Sequence, residues 1–571
     1  MTISIFLAVS MAVTALPFNI MAQDPIYGGT LTTPLGADAH TLNPLTWGTT
    51  YEAFVLGHLY DALVQYDMEN VPQNVLAKAW EYNSTLEKWI FTVVDNAYWH
   101  DGVPLTIDDV YFTYNLLWND PAIPRRSWMF DEIVSLTVLN TTSLQIEFGY
   151  GPRPADVLLD LATTWILPEH IWEDVTDIYN FANDAPVGCG PFSFVDWVKG
   201  SFFRLAAHDD YHLGRPYIDY KVLQIISNVE TGYYALSTGD IETLGAPPPE
   251  LEAVAEVDPD IEIHKFLNDY WMYLGLNQRR YPNNIVEFRK AVLTGINRSE
   301  IIDIARYGRG ITSPASCSLP YGEWYNPDIT EYDYSVANAN AMLDALGWVD
   351  TDLDDIRETS NGTVLEFELV VSADAQESVD SCRLIQEYML DIGIDVTVNP
   401  ILWDVLWPKV GGNGAGVHDY DWCYLGWVGF WSDRHPNWAS WLFNKDGWWG
   451  SDDVNIPGWN STISWQVSNL TQEIIYEQDI NIVHDKLDLV QELIADDLPY
   501  LPIHFLGGVT LYRIDEFKGW VMGPTSGPDN WETWISVQLI NPPAEETAGF
   551  GIIMAVLSTV AVIGFARRRR K

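Results

Sequence analysis

The sequence predicts a mixed α/β protein of two or three domains that ends in a membrane-spanning helix. Helical and strand patterns alternate over hundreds of residues without an internal repeat, which favours α/β lobes. The body between the two apolar ends, roughly 520 residues, is more than one core usually organises. Residues 548 to 565 form an uncharged apolar run, followed at once by Arg567, Arg568, Arg569, Arg570 and Lys571. At ~1.5 Å per residue that run covers about 27 Å, enough to cross a thin hydrocarbon core. The basic cluster is expected to stay cytoplasmic, which puts everything before it outside.

The elements follow in chain order. Ile3 to Met21 is mostly apolar and Ala22 precedes Gln23, so residues 1–22 are expected to be a signal peptide, although no Lys or Arg stands ahead of the run. The segment from Leu86 to Asp95 contains WIFTVVD, an extended pattern closed by a polar turn from Ala97 to Gly102. Thr106 with Asp109 three residues later resembles a capping box, and it opens an amphipathic helix through Val110, Tyr114 and Leu116. Strands are expected at 144–148, 191–198, 203–207, 221–226 and 261–266. Helices are expected over 336–346, stopped by Gly347, and over 378–390, ended near Gly393; strands flank them at 363–371 and 394–398. Residues 541–547, with Pro542 and Pro543, read as a linker.

Composition narrows the function. With 26 Trp, 29 Tyr and 21 Phe the chain is compact, not disordered. It carries 30 basic against 79 acidic residues, a formal charge of -49, which repels nucleic acid and suits a saline or cation-rich exterior. The cysteines Cys189, Cys317, Cys382 and Cys423 are too scattered for a metal cluster and leave room for one or two disulfides. Six sequons, at Asn83, Asn140, Asn297, Asn361, Asn460 and Asn469, are compatible with glycosylation. There is no HExxH, GxSxG, phosphate loop or paired CxxC, so no enzyme is expected.

Six ordered motifs carry a resemblance. They are Trp99 to Val110 (WHDGVPLTIDDV); Pro186 to Phe192 (PVGCGPF); Ala235-Leu236 with Gly239 to Glu242; Leu274 and Asn277 with Phe288 to Ala291 and Ile296 to Arg298; Tyr334 to Trp348; and Gly393 to Val396. The chain resembles the extracellular solute-binding proteins of family 5, the peptide, nickel and oligosaccharide binders that serve ABC importers. Cys189 departs from the pattern, where Thr is usual. The resemblance implies a bilobed, type II periplasmic-binding-protein-like fold with three domains. Lobe I would comprise 24–54, 184–270 and 504–540, with a domain inserted at 55–183; lobe II would be 271–503; the anchor would be 548–566 and the tail 567–571. It implies capture of a small solute by lobe closure and delivery to permease subunits.

Candidate ligand residues follow. In Gly188-Cys189-Gly190 the glycines either let the backbone approach a ligand or permit a tight crossing. Asp433 matches the position where peptide-binding relatives meet the free α-amino group, or it caps the helix through Trp438 and Trp441. Trp427 and Trp431 belong to a dense tryptophan run that suits peptide side chains and sugar faces alike. Thr50, Tyr51 and Glu52 sit where the family places a cleft loop, and Asn277 lies in the fourth motif. Asp350, Asp352 and Asp354 resemble the start of a calcium loop, but Asp355 replaces its Gly and Asn361 its final Glu, which favours a solvated turn. Oligopeptide is the favoured ligand, with an oligosaccharide as the alternative. An adhesion or sensory protein on this fold is the competing class.

Overall fold

The computed structural model describes residues 25–542 except 69–70, 84–87, 126–127, 150–153, 412–417, 429–435, 444–454, 478 and 524. The expected signal peptide, the anchor, the basic tail and all but the first two residues of the linker lie outside the described residues. Among the described residues no helix is long and apolar enough to cross a membrane.

Three sheets organise the chain. The first orders Thr30–Leu35, Tyr220–Ile225, Phe202–Ala207 and Phe192–Val198, the first pair parallel and the rest antiparallel. The second is antiparallel and orders Ala77–Asn83, Lys88–Val93, Ser143–Phe148 and Ile133–Asn140. These two share one continuous core that runs from Leu31 through Phe91, Trp99 and Leu223 to Trp534. The sequence patterns give strands here one by one; their assembly into two sheets on one core depends on contacts between distant segments.

The third sheet carries the other half. Thr243–Gly245, Leu501–Arg513, Ile261–Leu276, Trp422–Val428, Glu366–Ser372 and Asp395–Ile401 lie side by side in that order, and Gly310–Thr312 also pairs with Leu501–Arg513. The helix Gln376–Leu390 connects Glu366–Ser372 to the parallel strand Asp395–Ile401, the crossover that parallel pairing requires. Gly393, at φ +74°, sits in the turn between that helix and its strand. Two cores pack on this sheet, one around Phe288, Leu369 and Ile385 and one around Trp271, Trp438 and Tyr500.

The capping box is present: Thr106 N–H donates to Asp109 Oδ2 at 2.8 Å, at the start of Ile107–Asn119. Disulfides are absent among the described residues, since all four cysteines are buried free thiols. Asn297 caps Arg298–Ala305, accepting from Glu300 N–H and donating to Glu300 Oε2, so this sequon is committed to helix structure.

Candidate functional site

Two long strands join the halves. Ile261–Leu276 and Leu501–Arg513 pair with each other along most of their length. At one end they pack with Thr243–Gly245; at the other they pair with Trp422–Val428 and Gly310–Thr312. Between these ends the register slips between Leu267 and Trp271, and residues 266–270 and 506–508 are only half-buried. A bulge where Leu501–Arg513 loses burial in its middle, and before Ile261–Leu276 becomes buried from Trp271 on, is a natural place to bend. Gly507 and Gly508 lie there, beside a cavity of about 290 Å³ lined also by Phe266 and Arg309. Arg309 reaches across it to Pro247 O and to Glu252 Oε2, at 2.8 and 2.6 Å.

On one side of this joint stands the helix Thr50–Leu59. Thr49 caps it and Glu52 closes the capping box. Glu52 is buried and accepts N–H bonds from His40, Thr41, Gly48 and Thr49. Burial pushes its carboxyl up, but the four backbone donors outweigh burial and hold it below the usual range. Glu52 therefore shapes the loop, with both carboxylate oxygens already accepting from its backbone. Thr50 and Tyr51, by contrast, are exposed. The nearby Trp47 ring carries the Arg125 guanidinium 3.7 Å from its centroid.

Gly188-Cys189-Gly190 passes beneath the end of that helix. A Cβ on Gly188 would lie 1.8 Å from Leu59 O, and one on Gly190 would lie 2.8 Å from His58 O. Gly188 N–H donates to His100 Nδ1 and Gly190 N–H to Leu59 O. Gly188 O accepts from His100 N–H, and Gly190 O accepts from the rings of His100 and His208. Cys189 is buried, which pushes its thiol well above the ordinary value. The backbone polar groups of both glycines are bonded within the protein, and their Cβ positions are occupied, as a tight crossing requires.

Asn277 is likewise committed. It is buried, its amide donates to His418 O and Tyr420 O, and its Oδ1 accepts from Arg279 N–H. It ties the end of one long strand to the approach of Trp422–Val428.

Trp427 lies on Trp422–Val428 opposite Trp271, and it is half-buried. Its ring stands edge-on to Trp407 at 6.1 Å, and Trp407 stacks on Trp403 at 5.4 Å. Trp403 belongs to the helix Trp403–Lys409, and Leu402, Trp403 and Val405 are exposed. An aromatic rail thus runs from the strand beside the joint out to solvent. Trp403 and Trp407, four apart and on one helical face, had a readable spacing that the sequence analysis did not single out. Trp431 and Asp433 lie outside the described residues.

Asp350, Asp352 and Asp354 come together with Glu358, their carboxylate oxygens within 4.8 Å of one another. Glu358, not Asn361, completes the group. Asp350 already accepts N–H bonds from Leu353 and Asp355, and Glu358 accepts from Thr351, so the turn is held by its own backbone. The cluster lies apart from the aromatic rail in sequence and shares no described contact with it.

Comparisons with known proteins bear on the family and the fold. The model of the bacterial extracellular solute-binding proteins, family 5, matches residues 71–449. The oligopeptide-binding protein AppA of Bacillus subtilis is 27% identical over 338 residues, 57% of this chain and 60% of that protein. The nickel-binding periplasmic protein of Escherichia coli is 26% identical over 382 residues, 64% and 70% of the two chains. The probable D,D-dipeptide-binding periplasmic protein DdpA of Escherichia coli is 23% identical over 507 residues, 86% and 90%. The match thus spans less than two thirds of the length of the Bacillus relative and more of the other two. The solved structure of Bacillus subtilis AppA in complex with a nonapeptide superposes with a TM-score of 0.69 at 22% identity, covering 90% of this chain and 100% of that one. That of NikA from Brucella suis in complex with Fe(III)-EDTA gives 0.75 at 16% identity, with the same coverage. The fold is therefore that of the periplasmic binding proteins, and the chain belongs to the bacterial extracellular solute-binding proteins of family 5.

Proposed function

We propose that this protein captures oligopeptides outside the membrane and delivers them to an ABC permease, held to the cell surface by residues 548–566 with the basic tail 567–571 inside. The observation that carries the reading is the pairing of a two-strand joint with an aromatic rail, Trp427, Trp407 and Trp403, on one side of it. Two bodies turning on such a joint close over a ligand, and closure gives the permease a distinct shape to recognise. Flat indole surface accepts varied side chains without demanding one sequence. Relatives that bind a nonapeptide or D,D-dipeptides support the ligand class. On this reading Thr50, Tyr51, Trp427, Trp431 and Asp433 face the ligand, with Asp433 seating its α-ammonium, while Glu52, Asn277 and the Gly188 to Gly190 segment hold the frame.

Calorimetric titration of wild type and Asp433→Ala with a free peptide and its N-acetylated form tests this. Wild type is expected to lose at least ~2 kcal/mol on acetylation, and the variant to discriminate little. Equal affinity of wild type for both forms removes that role from Asp433. Tight binding of a neutral oligosaccharide with no peptide binding overturns the ligand class.

A further inference from the structure

A second cluster, away from the rail, holds titratable groups that neither capture nor closure uses. Asp61 follows the helix Thr50–Leu59, and His212 lies in the turn after Phe202–Ala207. Both side chains are almost completely buried, and Asp61 Oδ2 stands 4.0 Å from His212 Nδ1. Neither atom has a hydrogen-bond partner. A bridging water does not fit, because two bonds of about 2.8 Å meeting at a tetrahedral angle need about 4.6 Å between the outer atoms.

The imidazole's other nitrogen settles its tautomer. His212 Nε2 faces Val75 O at 3.1 Å, so it carries a hydrogen and donates. Nδ1 of the neutral ring then carries a bare lone pair 4.0 Å from a carboxyl oxygen. Two lone pairs at this distance in a dry site repel, whereas one proton between them attracts. The remaining Asp61 oxygen accepts from Tyr211 Oη at 3.4 Å, and the Asp61 carbonyl accepts from Ile166 N–H. The titratable groups facing the pair are Tyr211 and Cys189 on the Asp61 side and His208 on the His212 side, with Tyr60 and Asp109 behind Cys189. Asn96 donates to the His212 carbonyl.

We propose that Asp61 and His212 hold one proton between them at neutral pH, and that this buried acid–imidazole pair is a pH-sensitive clasp fastening the Asp61 to Val75 segment to the turn from His208 to Arg215. Burial pushes the Asp61 carboxyl up to about 8 and the His212 imidazole down to about 4, which agrees with a single shared proton over the range between. In the unfolded chain the same two groups lose that proton near the ordinary histidine value of 6.5. The folded pair keeps it to higher pH, so the clasp's contribution is full below 6.5 and is lost as pH rises through about 8.

Asp61→Asn keeps an N–H donor for Nδ1 and removes the ionisation. With the full chain in a denaturant series from pH 4 to 9, the folding constant of Asp61→Asn relative to wild type is expected to rise about tenfold per pH unit up to about pH 8 and then level. A ratio that does not change with pH overturns the proposal. Should the variant not fold, amide exchange of wild type, corrected for intrinsic rates, decides. Residues 72–77 and 208–215 are expected to open between pH 7 and 9 while the helix Gln376–Leu390 does not; equal behaviour of the three segments overturns the clasp.

Discussion

The crossing at Gly188 to Gly190 and the rail at Trp427 both stand out in the sequence as binding signals, yet they are built in opposite ways. At the crossing every described polar group of the two glycines has a partner within the protein, and the Cβ positions are filled by the Leu59 and His58 carbonyls. At the rail the aromatic surface widens toward solvent, from half-buried Trp427 to exposed Trp403. A glycine pair reports only that something comes close. Trp427 and Trp407 pack against the core on one side, and the run they begin ends at an exposed indole, so the rail offers aromatic surface to solvent.

The largest effect that can break this contrast is Gly188→Ala. The added methyl meets a backbone carbonyl, not a movable side-chain tip, so thermal unfolding is expected to show a loss of about 3 kcal/mol or more. A variant that folds normally but no longer binds peptide would return the crossing to the list of ligand contacts.

Acid attacks the same crossing more gradually. Burial lowers His58 and His100 to about 3 and lowers His208 as well. The unfolded chain takes up these protons near 6.5, so their contribution is fully present above that pH and is lost as pH falls toward 3. Glu242, pushed up to about 8 by burial, holds an extra proton when folded and offsets one of them. A denaturant series is therefore expected to show stability falling from pH 6.5 to 4.5, by about 1.4 kcal/mol per unit for each net proton. A flat or rising profile would mean that these imidazoles are not held neutral.

How much of this was legible follows from the range of each interaction. The Thr106 and Asp109 cap, the helix ending near Gly393 and the strand at Phe192–Val198 are local patterns, and the structure repeats them within a few residues. The double duty of Ile261–Leu276 was not legible beyond its first six residues, because its partner strand lies some 240 positions away and its second half reads as a plain apolar run. Glu52 resembled a ligand group for the same reason: the His40 and Thr41 donors that consume it become neighbours only once the loop has folded back. The need for glycine at 188 and 190 was readable, but its purpose was not, since Leu59 is remote in sequence.

The smallest expected effect is also the most direct test, because it separates ligand contact from folding. One peptide is titrated into wild type, Trp403→Ala and Tyr234→Ala, the last an exposed aromatic on the other half of the molecule. Trp403→Ala is expected to weaken binding by about 1 kcal/mol with an unchanged melting temperature, and Tyr234→Ala to match wild type. Wild-type affinity in Trp403→Ala, or an equal loss in Tyr234→Ala, would contradict a ligand site on the rail.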